Sequence, residues 1–278
     1  MVLPREEYIE QQHFFRSLGE RMRYNLSTQE LLVSLKDEIL STTRLPLALD
    51  FLAAELKLHG AMAPAMARLP HYFTPFQTYL VAEAENEQGR FDLGVALEIL
   101  EKEAGYRAAG ATPQGIFLYE FEAISRNRLR YDAGLTAIAG DPLFDEAWRS
   151  WITTVSRQVG LVEFADLVYV RSEYYRTSHG RDPQGAPQAA VLFGEKEGRI
   201  AWANRRKDPM FLFSALQRQL GYPAVPRPRP ADEQQNLLPL LARRVERLET
   251  RLKLLEDEAR GGIDLSRFYG PRPHDEPS

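Results

Sequence analysis

The chain of 278 residues contains no cysteine. That excludes disulfides, thiolate metal sites and cysteine nucleophiles, and it fits a reducing compartment. Long apolar runs are also missing: no window approaches the roughly 18 consecutive apolar residues of a membrane-spanning helix. The opening MVLPREEYIEQQHFF carries acidic residues and lacks the apolar core of a secretory signal. Histidine is scarce, and His13, His59, His71, His179 and His274 are scattered. No phosphate-binding glycine loop, dinucleotide fingerprint, nucleophile elbow or zinc-protease motif occurs. A formal net charge of −4 argues against wholesale nucleic-acid binding. The expectation is a soluble, cytoplasmic protein with no membrane partner, and with no catalytic residue, cofactor site or metal site that local patterns reveal.

The carboxylates do not alter that reading. Glu55 and His59 lie four apart on one helix and read as surface neighbours. Glu83, Glu85 and Glu87 alternate around a helix and therefore diverge, as do Glu120 and Glu122. No carboxylate pair has a spacing that suggests acid–base chemistry.

What is present predicts a mainly α fold. Residues 1–160 read as a multi-helix domain, residues 161–222 as a small antiparallel α+β unit and residues 223–236 as a proline-rich linker. Residues 237–260 read as a coiled-coil helix and 261–278 as a disordered tail, too poor in apolar surface to offset its ordering entropy. Helix starts are legible. Ser27-Thr28-Gln29-Glu30 is a capping box, and Thr74-Pro75 and Thr112-Pro113 each place a capping hydroxyl before a proline at the first helical position. Gly60, Gly105 and Gly221 read as helix stops. Leu31, Leu35 and Ile39, and Leu93, Leu97, Leu100 and Ala104, recur at the three-four spacing of a buried helix face.

Two segments share the pattern Arg, aromatic, Asp, small or apolar, Gly: Arg90 to Gly94 and Arg130 to Gly134. With the two Thr-Pro starts they define a period of 38 to 40 residues. The stretch Gly89-Arg90-Phe91-Asp92 through Ala96-Leu97 resembles the second helix of tetratricopeptide repeats, where a small residue lets paired helices approach. Gly94 and Gly134 fill that position. The resemblance covers about residues 74–142 and implies a helical-repeat-like, partner-binding architecture. The period is longer than that family's, and its first-helix signature is missing.

Within 161–222, Leu167 to Tyr175 is rich in β-branched and aromatic residues and predicts a strand. Ala189 to Phe193 and Arg199 to Ala203 predict two more, joined by a turn at Gly194-Glu195-Lys196-Glu197-Gly198. Around them lie Arg171, Arg176, Arg199, Trp202, Arg205 and Arg206, interleaved with Tyr169, Tyr174 and Tyr175. Such a face can bind an anionic ligand or single-stranded nucleic acid. The plainer alternative is a solvated surface, with the aromatics in the core and the arginines paired to Glu173, Asp182, Glu195 and Glu197.

Leu238, Leu241, Val245, Leu248, Leu252, Leu255 and Ala259 alternate three-four spacing, the 3.5-residue repeat of a coiled coil. Leucine at d with valine at one a position favours a parallel dimer. Arg244 and Arg251 at g face Glu249 and Glu256 at e of the second chain. The functional expectation is a non-enzymatic scaffold or adaptor that forms a homodimer through this helix and binds a protein partner through its helical domain. A nucleic-acid or anionic-ligand module on the arginine–tyrosine face is the first alternative, and an enzyme without a local motif is the second.

Overall fold

A computed structural model describes residues 2–22, 28–86, 91–179 and 189–228. Among the described residues the chain forms thirteen helices and no strand. In chain order they are α1 (Arg5–Arg21), α2 (Thr28–Lys36), α3 (Leu45–His59), α4 (Ala63–Ala67), α5 (Pro75–Glu85), α6 (Leu93–Ala108) and α7 (Pro113–Arg126). Then follow α8 (Tyr131–Ala139), α9 (Glu146–Gln158), α10 (Phe164–Tyr169), α11 (Glu173–His179), α12 (Glu195–Ala203) and α13 (Pro209–Leu220). All belong to one unit, Met1–Pro228. No helix among the described residues is long and apolar enough to cross a membrane.

Capping sets most of the helix starts. Thr74 accepts from the Gln77 N–H and Gln77 returns a side-chain acceptor to the Thr74 N–H, a complete capping box for α5. Thr112 caps α7, Asp92 caps α6 and Asp145 caps α9, each accepting from the N–H three residues on. Gly60 ends α3 in the left-handed conformation (φ 72°) that an L side chain resists. Gly105, expected as a stop, instead lies inside α6, which runs on to Ala108. It is glycine for packing: a Cβ there would meet the Gln12 side chain of α1 at 2.7 Å. α2 begins at Thr28, while Ser27 of the expected capping box lies outside the described residues.

The core is organised on α7. Ten consecutive residues, Gly115 to Ile124, are buried, so this helix is surrounded on every side. Phe117 contacts the rings of Phe121, Trp148, Trp151 and Phe164, with centroids 4.8–6.3 Å apart. Phe193 and Phe213 extend the same aromatic cluster towards the C-terminal end. One core therefore spans residues before and after 160.

The antiparallel α+β unit expected over 161–222 is helical instead. Leu167 to Tyr175 forms the end of α10, a turn and the start of α11, and Arg199 to Ala203 belongs to α12. The supposed turn at 194–198 is the start of α12, with Gly194 at its N-cap and Glu195 and Glu197 in a first turn that favours acidic side chains. Strand-like pairing among the described residues is limited to two isolated parallel bridges, Val159 with Val162 and Ser172 with Phe193. The physical reason lies in Ser172. Its buried hydroxyl donates to the Tyr169 carbonyl at 2.6 Å and accepts from the Tyr175 N–H at 3.2 Å, splitting the apolar run into two helices.

The two look-alike segments both open the second member of a helix pair, α6 after α5 and α8 after α7. Gly134 sits where the resemblance places a small residue: a Cβ there would come within 2.5 Å of Ile124 Cδ1 on α7 and 3.1 Å of Tyr79 on α5. Gly94 is different, since an added Cβ would meet only the side chain of Asp92, its own helix cap.

The first residues of the predicted linker pack on this unit. Tyr222 and Val225 are buried, and Asn127 donates to the Pro226 carbonyl at 3.2 Å. The predicted coiled-coil seam (Leu241, Val245, Leu248, Leu252, Leu255), the tail and Asp182 lie outside the described residues.

Candidate functional site

Three short helices, α10 to α12, and the turns beside them carry the six predicted face residues: Arg176, Arg199 and Trp202 lie on α11 and α12, Arg171 in the turn before α11, and Arg205 and Arg206 in the turn after α12. Trp202 is 47% exposed near the end of α12, and its ring lies 4.8 Å from that of buried Tyr169. The Arg205 guanidinium stands over both, 4.3 Å from the Trp202 centroid and 5.4 Å from Tyr169, while pairing with Asp166. Tyr175 meets Tyr169 edge-on at 5.2 Å and stacks on His179 at 4.2 Å. The His179 Nδ1 lies 3.1 Å from the Tyr175 carbonyl, an arrangement that requires Nδ1 to carry a hydrogen.

The remaining cations sit at the margin of this stack. Arg199 lies over Tyr174 at 5.5 Å and pairs with Glu195 at 2.5 Å. Arg176 pairs with Glu173 at 3.4 Å, and Arg171 donates to the Ala190 carbonyl at 3.4 Å. Arg206 adopts a left-handed conformation (φ 60°), with its N–H donating to Glu163 at 2.8 Å, and its side chain is exposed. The Arg171, Arg176, Arg199 and Arg205 side chains therefore face acceptors, as the plainer expectation held for Glu173 and Glu195. Trp202 nevertheless remains half exposed. Tryptophan, tyrosine and arginine packed together at a surface are what energetic anchors of protein interfaces consist of.

A second polar constellation escapes local sequence reading. Arg107 on α6 donates from Nε to Glu103 at 2.7 Å, and from Nη2 to Glu120 at 2.8 Å and Asp141 at 2.6 Å. All four side chains are buried. Asp141 also accepts the Leu143 N–H at 2.8 Å, and the Tyr8 ring of α1 lies 6.0 Å from the guanidinium. A cavity of about 290 Å³, with Arg107, Tyr8, Arg5, Ala108, Ile116 and Leu143 in its wall, reaches the edge of this cluster. Burial pushes the Glu103 and Glu120 carboxyls up from the ordinary range, against the opposing pull of Arg107.

Glu120 and Glu122 do diverge, as their spacing requires. Glu120 turns to Arg107, while Glu122 accepts from Arg126 and from the Tyr222 hydroxyl. The pair that converges is Glu103 with Glu120, from different helices. The usable signal was the run GIFLYEFEAI: a helix apolar on every side that still contains glutamates must pair them internally. Glu103 and Arg107, four apart, look like any surface ion pair until α7 covers them. Glu55 pairs with Arg68 at 2.6 Å. No group of three or more acidic or histidine side chains is placed to hold a metal ion among the described residues.

Comparison with protein families, with characterised proteins and with solved structures finds no match to this chain.

Proposed function

We propose that this chain is a binding protein of the adaptor kind. It holds a protein partner on the aromatic–arginine face of α10 to α12, and it self-associates through the heptads of 238–259. The observation that carries the reading is Trp202, half exposed between Tyr169 and Arg205 on rigid helices rather than on a loop. Large aromatics anchored this way lose little side-chain entropy on binding. The near balance of arginines and carboxylates on the face suits a protein surface better than a polyanion, whose binding rests on unpaired cations. In the helix predicted over 237–260, the unbroken three-four seam is too narrow to cover a globular core and wide enough for a second helix.

The deciding measurement is light scattering after size exclusion on the full chain and on a chain ending at Arg229. A dimeric full chain beside a monomeric truncation supports self-association; a monomeric full chain removes it. The face is tested by chemical cross-linking in cells, comparing the unaltered chain with Trp202→Ala. Identical cross-linked species would dismiss Trp202 as an anchor. Salt-sensitive binding of a labelled single-stranded oligonucleotide, abolished in Arg205→Ala/Arg206→Ala, would instead favour the nucleic-acid reading.

A further inference from the structure

The Arg107 cluster brings three carboxylates, Glu103, Glu120 and Asp141, against one guanidinium. Three negative charges against one positive leave a formal excess of two in a place without bulk water, an arrangement that buried groups avoid by taking up protons. The hydrogen bonds locate the problem. Asp141 has both oxygens engaged, by Arg107 and by the Leu143 N–H. Glu103 and Glu120 each give one oxygen to Arg107, and the Oε2 of each is buried with no partner. These two carboxyl groups lie against the same guanidinium, at 2.7 and 2.8 Å, which brings them together. As carboxylates both could only accept; with one proton between them, one becomes a donor and both orphaned oxygens are satisfied.

We propose that Glu120 carries a proton at neutral pH and donates it to Glu103, which makes the Arg107 cluster a latch that rising pH releases. Glu120 is the holder of the proton because it shares the Arg107 Nη2 with Asp141, at 2.8 and 2.6 Å, whereas Glu103 has the Nε–H to itself at 2.7 Å; burial pushes both carboxyls up. The charged and titratable groups facing the pair are Arg107 from α6, Asp141 from the α8–α9 connection, Tyr119 from α7, whose hydroxyl burial also pushes up, and Tyr8 from α1. Burial pushes the Tyr8 hydroxyl above its ordinary range, so it stays protonated while the carboxyl titrates. The cavity beside Arg107 and Tyr8 gives hydroxide a route to the cluster. There it takes the proton and forms water, leaving two adjacent buried carboxylates that repel. The connection at Asp141, which joins the cluster through Arg107, is the part expected to open.

The linkage has a definite sign. A carboxyl raised in the folded state contributes stability that is fully present below the unfolded value, about 4.3 for Glu, and is lost as pH rises through the folded value. The test uses the full chain. Infrared spectra at neutral pH are expected to contain the carbonyl stretch of a protonated carboxyl that is lost as pH is raised, and Glu120→Gln is expected to lack it. Until that band is lost, the unfolding constant of the unaltered chain should rise more steeply than that of Glu120→Gln, by about tenfold per pH unit for the one proton held. The Gln amide supplies the donor permanently and has nothing to release. Glu103→Gln, which also fills the donor role, serves if Glu120→Gln does not fold. A spectrum without a protonated carboxyl at neutral pH overturns the proposal. So does a band that survives both substitutions, or a pH dependence that neither changes.

Discussion

Replacing Arg107 by methionine should be among the most damaging single changes in this protein. Methionine has similar reach and packs well, so the loss is electrostatic. Three hydrogen bonds of 2.6–2.8 Å vanish, and Glu103, Glu120 and Asp141 remain in the interior without a counter-charge. Breaking a buried ion pair from one side costs about 3–5 kcal/mol, and here two carboxylates and the Glu120 carboxyl lose one shared partner. The expected deficit at neutral pH is therefore at least about 3 kcal/mol, a large fraction of the roughly 5–15 kcal/mol typical of a folded domain. The pH dependence sharpens the test. Arg107 is the main influence holding the Glu103 and Glu120 carboxyls down, so its removal raises both further. The variant's deficit should then shrink as pH falls through about 4.3, below which the Glu103 and Glu120 carboxyls become neutral in the unfolded chain as well as in the folded one. Urea unfolding followed by circular dichroism and by the fluorescence of buried Trp148 and Trp151 reads this directly. A deficit under about 1 kcal/mol at neutral pH, or one that is the same at every pH, would refute the account of the cluster.

Other outcomes follow from local geometry. Gly134→Ala should cost about 1–3 kcal/mol, because its Cβ would overlap Ile124 and Tyr79, whereas Gly94→Ala should be much milder; equal effects in urea unfolding would argue against a helix contact at Gly134. Tyr222→Phe removes the hydroxyl that donates to buried Glu122 at 2.8 Å and should cost about 1–3 kcal/mol, read in the same assay. Thr112→Ala deletes the cap of the central helix and should cost about 1 kcal/mol, visible as a lower thermal midpoint. Phe211, 63% exposed, should be replaceable by Ser within about 0.5 kcal/mol, since little of it is buried.

Local chemistry in the chain itself determined the helical character of the described part of residues 1–160, the capped starts at Thr74 and Thr112, and the ends at Gly60 and Gly221. These depend on interactions within four residues, which a sequence displays. It also placed Arg171, Arg176, Arg199, Trp202, Arg205 and Arg206 in one region, because they are neighbours along the chain. Tertiary structure decided the rest. A strand and a short buried helix share the same apolar, β-branched composition, so Leu167 to Tyr175, expected as a strand, folds instead as parts of two helices that pack on α12 and are divided by the Ser172 hydroxyl. Gly105 looked like a helix end, but α1 needed its missing side chain for Gln12. The Arg107 cluster joins positions 103, 107, 120 and 141, which no period or motif connects. Only when α7 folds against α6 and the α8–α9 connection closes over them do these side chains leave water together. From then on a carboxyl, a proton and a guanidinium must balance one another.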